Sequence, residues 1–128
     1  VLRVGQAELE RTLQHLRSEL PREGVGLWAG RGGRVERVLP LPNVHETPQV
    51  AYTADPGALL RGIRGLEREG LELLAIYHSH PQGPASPSSS DRTQAYWRVP
   101  YVIFALESGE VRAYKLPEGE EVKLHVEP

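Results

Sequence analysis

A chain of 128 residues with 39% hydrophobic and 25% charged content is long enough to bury one core, and it reads as a single domain over residues 1–128. Its formal net charge of −2, with both signs interspersed, offers no basic face and argues against a nucleic-acid partner. Zero cysteines exclude disulfides and thiolate metal ligands; with no long apolar run and no signal-peptide pattern, the expectation is a cytoplasmic protein with no membrane partner.

In chain order, Leu9, Leu13, Leu16 and Leu20 recur at helical spacing and predict an amphipathic helix from Gln6 to Leu20, stopped by Pro21. Its His15 reads as a solvent or boundary residue. Residues 25–29 and 35–39 flank the turn Arg31-Gly32-Gly33-Arg34 and predict an antiparallel hairpin. Leu39-Pro40-Leu41-Pro42 is expected to leave the sheet, because proline brings no amide donor to a ladder. His45 and Glu46 follow in an irregular stretch, close enough in sequence to be considered for a site.

Asp55-Pro56 has the form of a cap and first helical residue, and Leu59, Ile63 and Leu66 mark the apolar face of the helix that Gly70 ends. Leu71 to Tyr77 is continuously apolar, the pattern of a strand covered on both faces. A proline-rich loop over 81–87 leads to Ser88-Ser89-Ser90-Asp91, a capping-box sequence that predicts a helix to about Trp97. Strands are expected over 100–106, 111–116 and 122–126, with His125 exposed. The order gives an α/β layered domain whose sheet is mixed or mainly antiparallel.

His78 and His80 are two apart at the end of the apolar strand, so they project from the same face. Paired neutral imidazoles suit a borderline-soft cation such as zinc, and Asp91 is near enough along the chain to supply a third ligand. Three protein ligands leave a tetrahedral position open, as in catalytic sites. Taken alone, Ser88 and Asp91 are a helix cap and the histidines a polar strand end. Their coincidence at one strand-loop-helix junction is what favours a metal site.

His78-Ser79-His80-Pro81, six intervening residues and Ser88-x-x-Asp91 resemble the zinc signature of the JAMM (MPN-plus) metalloprotease family. Pro21-x-Glu23-x-x-Gly26-Leu27-x-x-Gly30 is similar to the segment that carries that family's glutamate, and Asn43, Asp55-Pro56 and Ala75-Ile76-Tyr77 agree with it. The resemblance implies a curved sheet flanked by helices, cytidine-deaminase-like in type, and one zinc per chain held by His78, His80 and Asp91. It also implies Glu23 as the acid/base group and Ser88 as the residue that steadies the tetrahedral intermediate. Val25 stands where bacterial relatives often have cysteine, a change expected to touch packing and not chemistry.

The function implied is hydrolysis of an amide or isopeptide bond after the C-terminal glycine of a ubiquitin-like or sulfur-carrier protein. The bond would be to lysine or to a C-terminal cysteine. The carrier's tail is expected to add as a strand beside a sheet edge. The alternatives from other classes are a non-catalytic scaffold and a small-molecule metalloamidase.

Overall fold

The computed structural model describes residues 1–128. In order it contains β1 (Leu2–Gly5), α1 (Gln6–Ser18), β2 (Val25–Arg31), β3 (Arg34–Leu41), α2 (Pro56–Arg68), β4 (Glu72–His80) and α3 (Ser89–Gln94). Then follow β5 (Tyr101–Ala105), β6 (Glu110–Lys115), β7 (Glu120–Val122) and β8 (Leu124–Glu127). The strands form one mixed, eight-stranded sheet in the order β7-β6-β5-β4-β2-β3-β1-β8. β7 and β8 are separated only by Lys123, yet they pair with β6 and β1 at opposite ends of that order. The sheet is therefore curved until one continuous segment bridges its two ends.

Alternation along the central strands builds a core on each face. Val25 and Leu27 of β2, Ile76 of β4, and Tyr101 and Ile103 of β5 form one core, which α2 covers with Leu59, Ile63 and Leu66. Trp28, Ala75, Tyr77, Val102 and Phe104 form the other, which α1 covers with Leu9, Leu13 and Leu16. Burial on both faces is what the continuously apolar β4 sequence requires. His15, at the edge of α1, places Nδ1 2.8 Å from the Tyr77 hydroxyl and takes no part in any metal-ligand group.

Local signals set most boundaries. Asp55 Oδ2 accepts the Ala58 N–H at 2.9 Å, and Pro56 occupies the first turn of α2. Four expectations change, the first being that the single strand expected over 122–126 is broken at Lys123 into β7 and β8. β3 continues through Pro40 to Leu41, opposite Gly26 and Val25; β1 pairs with β3 only at Arg34, so no strand on the outer side needs the donor that Pro40 lacks. α3 stops at Gln94 because the Tyr96 and Trp97 amides donate to the Tyr101 hydroxyl, at 3.1 and 3.0 Å, instead of to the preceding turn. α1 ends at Ser18, leaving Leu20 beyond it and exposed. No helix is long and apolar enough to cross a membrane.

Candidate metal centre

His78 and His80 are the last same-face pair of β4, continuing the row begun by Ile76. Their neighbours β2 and β5 flank them on both sides, with Val25 and Ile103 in register with His78. His78 is fully buried and its ring lies against Tyr52, with centroids 4.5 Å apart. Asp91 enters from the first turn of α3 through a complete capping box. Ser88 Oγ accepts the Asp91 amide and Asp91 Oδ2 accepts the Ser88 amide, both at 3.0 Å. The carboxylate that caps the helix is thereby turned toward the histidines.

The donor atoms converge. The two Nε2 atoms are 3.3 Å apart, Asp91 Oδ1 is 3.2 Å from that of His78, and Asp91 Oδ2 is 3.0 Å from that of His80. Ligands of a tetrahedral zinc with bonds of roughly 2.0–2.1 Å stand about 3.3 Å from one another, close to this spacing. Glu23, just before β2, completes a group of four buried residues whose ligand atoms all lie within 4.8 Å.

Hydrogen-bond accounting supports a cation at this centre. His80 Nδ1 lies 2.8 Å from the Pro84 carbonyl, which can only accept, so Nδ1 carries hydrogen. In neutral His80 the Nε2 lone pair then faces Asp91 Oδ2, acceptor against acceptor, unless a proton or metal ion sits between them. Glu23 Oε1 and His78 Nδ1 are buried without partners. Two imidazoles and two carboxylates are a zinc-type donor set, and His80 already has the outer hydrogen bond that fixes a metal-binding tautomer.

The protonation equilibria follow the same geometry. Burial pushes the Glu23 carboxyl up to about 7, with His80 pulling it down and Asp91 adding to the rise. Burial holds His78 below the usual imidazole value, against the opposing pull of Asp91. For Asp91, burial raises the carboxyl, but the bonds to His78 and His80 outweigh it and hold it far below the usual carboxylate range. For His80, burial again opposes charge, and the bond to Asp91 with those to Pro84 and the nearby acids wins, raising its pKa.

A cleft of about 580 Å³ opens onto this group, lined by Pro21, Glu23, Val50, His80, Pro84 and Ser88 among others. A second cavity, about 380 Å³ and mostly apolar, lies on the other side of Tyr52 between Leu59, Tyr96, Trp97 and Tyr101.

All five sequence-expected site residues thus meet in one place. His45 and Glu46 do not join them: His45 is occupied in a local turn, Nδ1 accepting the Thr47 amide at 2.9 Å. β4 is paired on both sides, whereas β3 meets β1 only at Arg34, so its outer edge from Val35 to Leu41 has no strand partner. Ser79 and Asn43 belong to the quoted family pattern without an expected role, and Tyr52 is not anticipated at the site. Ser79 Oγ accepts the Gly24 amide at 2.8 Å, and the Ser79 amide donates to the Gly24 carbonyl at 3.1 Å, tying the Glu23 segment to the histidine strand. The available signals were a small polar residue between two histidines and the chain's single asparagine.

Residues 6–117 match the family of prokaryotic homologues of the JAB domain. The chain belongs to that family. It is 63% identical, over 98% of its length and 83% of the relative's, to a probable TtuB-protein conjugate cleaving protease of Thermus thermophilus. It is 32% identical, over 82% of its length and 75% of the relative's, to a CysO-cysteine peptidase of Mycobacterium tuberculosis. Among solved structures, a protein from Desulfitobacterium hafniense superposes with a TM-score of 0.88 at 29% identity, covering 99% of this chain and 93% of that one. A structure described as a JAMM metalloprotease-like zinc site in the proteasome and signalosome superposes with a TM-score of 0.64 at 19% identity, covering 100% and 99%, and shares the fold. Both the curved α/β fold and the site's capacity for one metal ion thus agree with the resemblance read from the sequence.

Proposed function

We propose that the chain is a zinc-dependent metallopeptidase that hydrolyses the bond after the C-terminal glycine of a ubiquitin-like or sulfur-carrier protein. The observation that carries this reading is the division of labour among the four acidic and imidazole groups. His78, His80 and Asp91 stand in mutual contact as ligands, while Glu23 contacts none of them by hydrogen bond and faces the cleft. A group that only stored an ion or stiffened a scaffold would have no use for a carboxyl kept apart and near-neutral in pKa.

When bound, zinc lowers the pKa of water toward about 7 and polarises the carbonyl to be cleaved. Glu23 takes a proton from the attacking water as the new C–O bond forms. It then passes that proton to the amine nitrogen as the C–N bond breaks, leaving a free amine and a carboxyl on the carrier, whose own proton goes to solvent. Ser88 uses an oxygen lone pair to accept the Asp91 amide, so its hydroxyl hydrogen remains free to donate to the developing oxyanion. The relatives' names support both a carrier-protein conjugate and a carrier-cysteine adduct as the substrate class.

The test uses TtuB joined through its terminal carboxyl to the lysine of a fluorescent peptide, and the same carrier bearing a C-terminal cysteine. The zinc-loaded protein is expected to cleave at least one. Glu23→Gln is expected to lower turnover by about 10² to 10⁴ while still holding one zinc. Cleavage of short acyl-peptides but of neither carrier substrate would favour the small-molecule amidase, and full activity in E23Q would remove Glu23 from the mechanism.

A further inference from the structure

Glu23 lies in no helix or strand, so the aim of its carboxyl depends on how the peptide groups on either side of it are held. Its amide donates to the Pro48 carbonyl at 2.7 Å, and its carbonyl accepts the Asn43 side-chain amide at 2.8 Å. The same Asn43 nitrogen reaches the Ala51 carbonyl at 3.2 Å, and Asn43 Oδ1 accepts the His45 and Thr53 amides at 3.1 and 3.0 Å. One side chain therefore joins the start, middle and end of segment 44–53 to the backbone of Glu23. Within that segment the backbone itself supplies little, chiefly Val44 N–H to Thr53 at 2.8 Å and Val50 N–H to Thr47 at 3.2 Å.

We propose that Asn43 is a positioning residue: its amide locks segment 44–53 and the Glu23 peptide into one unit that holds the Glu23 carboxyl at the metal centre. Ser79 grips Gly24 from the histidine strand, and Asn43 grips Glu23 from the opposite side. With the Asn43 grip gone, Glu23 is held by Ser79 at Gly24 and by its own amide's bond to Pro48, a residue of the segment that Asn43 locks. The side chain that must reach both water and leaving amine then loses its fixed distance to the ligands. The inference rests on Glu23 as the proton carrier proposed above.

The amide has no substitute among the small polar residues. Aspartate keeps the oxygen that accepts from His45 and Thr53 but sets a second oxygen against the Glu23 and Ala51 carbonyls, where two donors are needed. Asn43→Asp therefore removes the bonds to Glu23 and Ala51 while keeping those to His45 and Thr53, and Asn43→Ala removes all four without adding charge.

The experiment compares zinc-loaded wild type, N43D and N43A in two readouts. The first is kcat and KM on TtuB joined to a fluorescent peptide. The second is amide hydrogen exchange, read at Glu23 with Leu27 and Ile76 as internal controls. In both variants kcat is expected to fall by about 10- to 100-fold, the scale of a displaced catalytic group, with KM within about threefold and zinc still one per chain. Exchange at Glu23 is expected to rise by at least about tenfold while the two controls stay unchanged. The proposal is overturned by unchanged kcat, by a loss carried by KM alone, or by exchange at Glu23 that rises only in step with Leu27 and Ile76. If wild type does not cleave the probe, the functional reading fails, and exchange at Glu23 alone decides whether Asn43 holds it. If N43D does not fold, N43A decides by the same criteria.

Discussion

A carboxyl that must accept a proton from water and return it to an amine works best when it titrates near neutrality, and burial brings Glu23 to about 7. The metal-free protein shows that shift as a stability effect whose sign is fixed. Folded Glu23 keeps its proton up to about pH 7, whereas in the unfolded chain it is lost near 4.5, so between those values the native state binds more protons. Its contribution is fully present below 4.5 and is lost as pH rises through 7. Glu23→Gln cannot titrate. In metal-free protein the unfolding free energy of E23Q relative to wild type should therefore climb between pH 4.5 and 7 and level off on either side. The climb should be on the order of 1–2 kcal/mol once screening at the open cleft is allowed for. Urea melts across that range measure it, and a difference that does not vary with pH would mean that Glu23 is not held protonated by the fold. Of the residues concerned, His78, His80, Ser88 and Asp91 were legible because strand alternation and helix capping are local rules. Glu23 became visible only through family resemblance, since Gly24 beside it meets Ser79 across 55 positions of chain. Asn43, Ser79 and Tyr52 act through contacts of the same long-range kind, and no spacing rule announces them.

Among the elements, β4 and α3 deliver the proposed ligands, and β2 sets the level at which Glu23 meets them. β2 and β4 come together closely because Gly26 has no side chain: a Cβ there would lie 2.2 Å from the hydroxyl of Tyr77, the residue before His78. Tyr77 is fully buried between Trp28 and Phe104 and has no space into which to retreat. Gly26→Ala should therefore destabilise the protein by about 1–3 kcal/mol through overpacking, seen as a lower denaturant midpoint. An unchanged midpoint would show that Tyr77 can move and that the β2–β4 contact is looser than the register indicates. The same tertiary forces explain which boundaries the sequence misplaced. A tyrosine hydroxyl captured two amides and ended α3 early, while a free outer side allowed Pro40 to remain in β3. Strands β1, β7 and β8, of four, three and four residues, carry too few positions to show a period.

At the scale of the whole molecule, the proposed ligands belong to a fold with a core of its own on each face of the sheet. Cores of 14 and 10 buried residues occupy the two faces of the sheet, and the 120–127 segment bridges the sheet's ends. This differs from small metal domains, which unfold when the ion leaves. Removing the metal should instead cost only the binding free energy, and it leaves Asp91 beside two imidazoles and an orphaned Glu23 oxygen. For an ion present at a hundred times its dissociation constant, that free energy is about 2.7 kcal/mol. In a domain of this size the loss corresponds to roughly 10 °C in melting temperature. A chelator should therefore lower the melting temperature by about that amount, leave the transition cooperative and the near-ultraviolet dichroism of Trp28 and Tyr77 in place, and be reversed by added zinc. An unmoved transition would mean that the four groups hold no ion, and a lost one would mean that the two cores cannot stand without it. Between those limits, the fold supplies a rigid frame, and the ion is free to serve the chemistry.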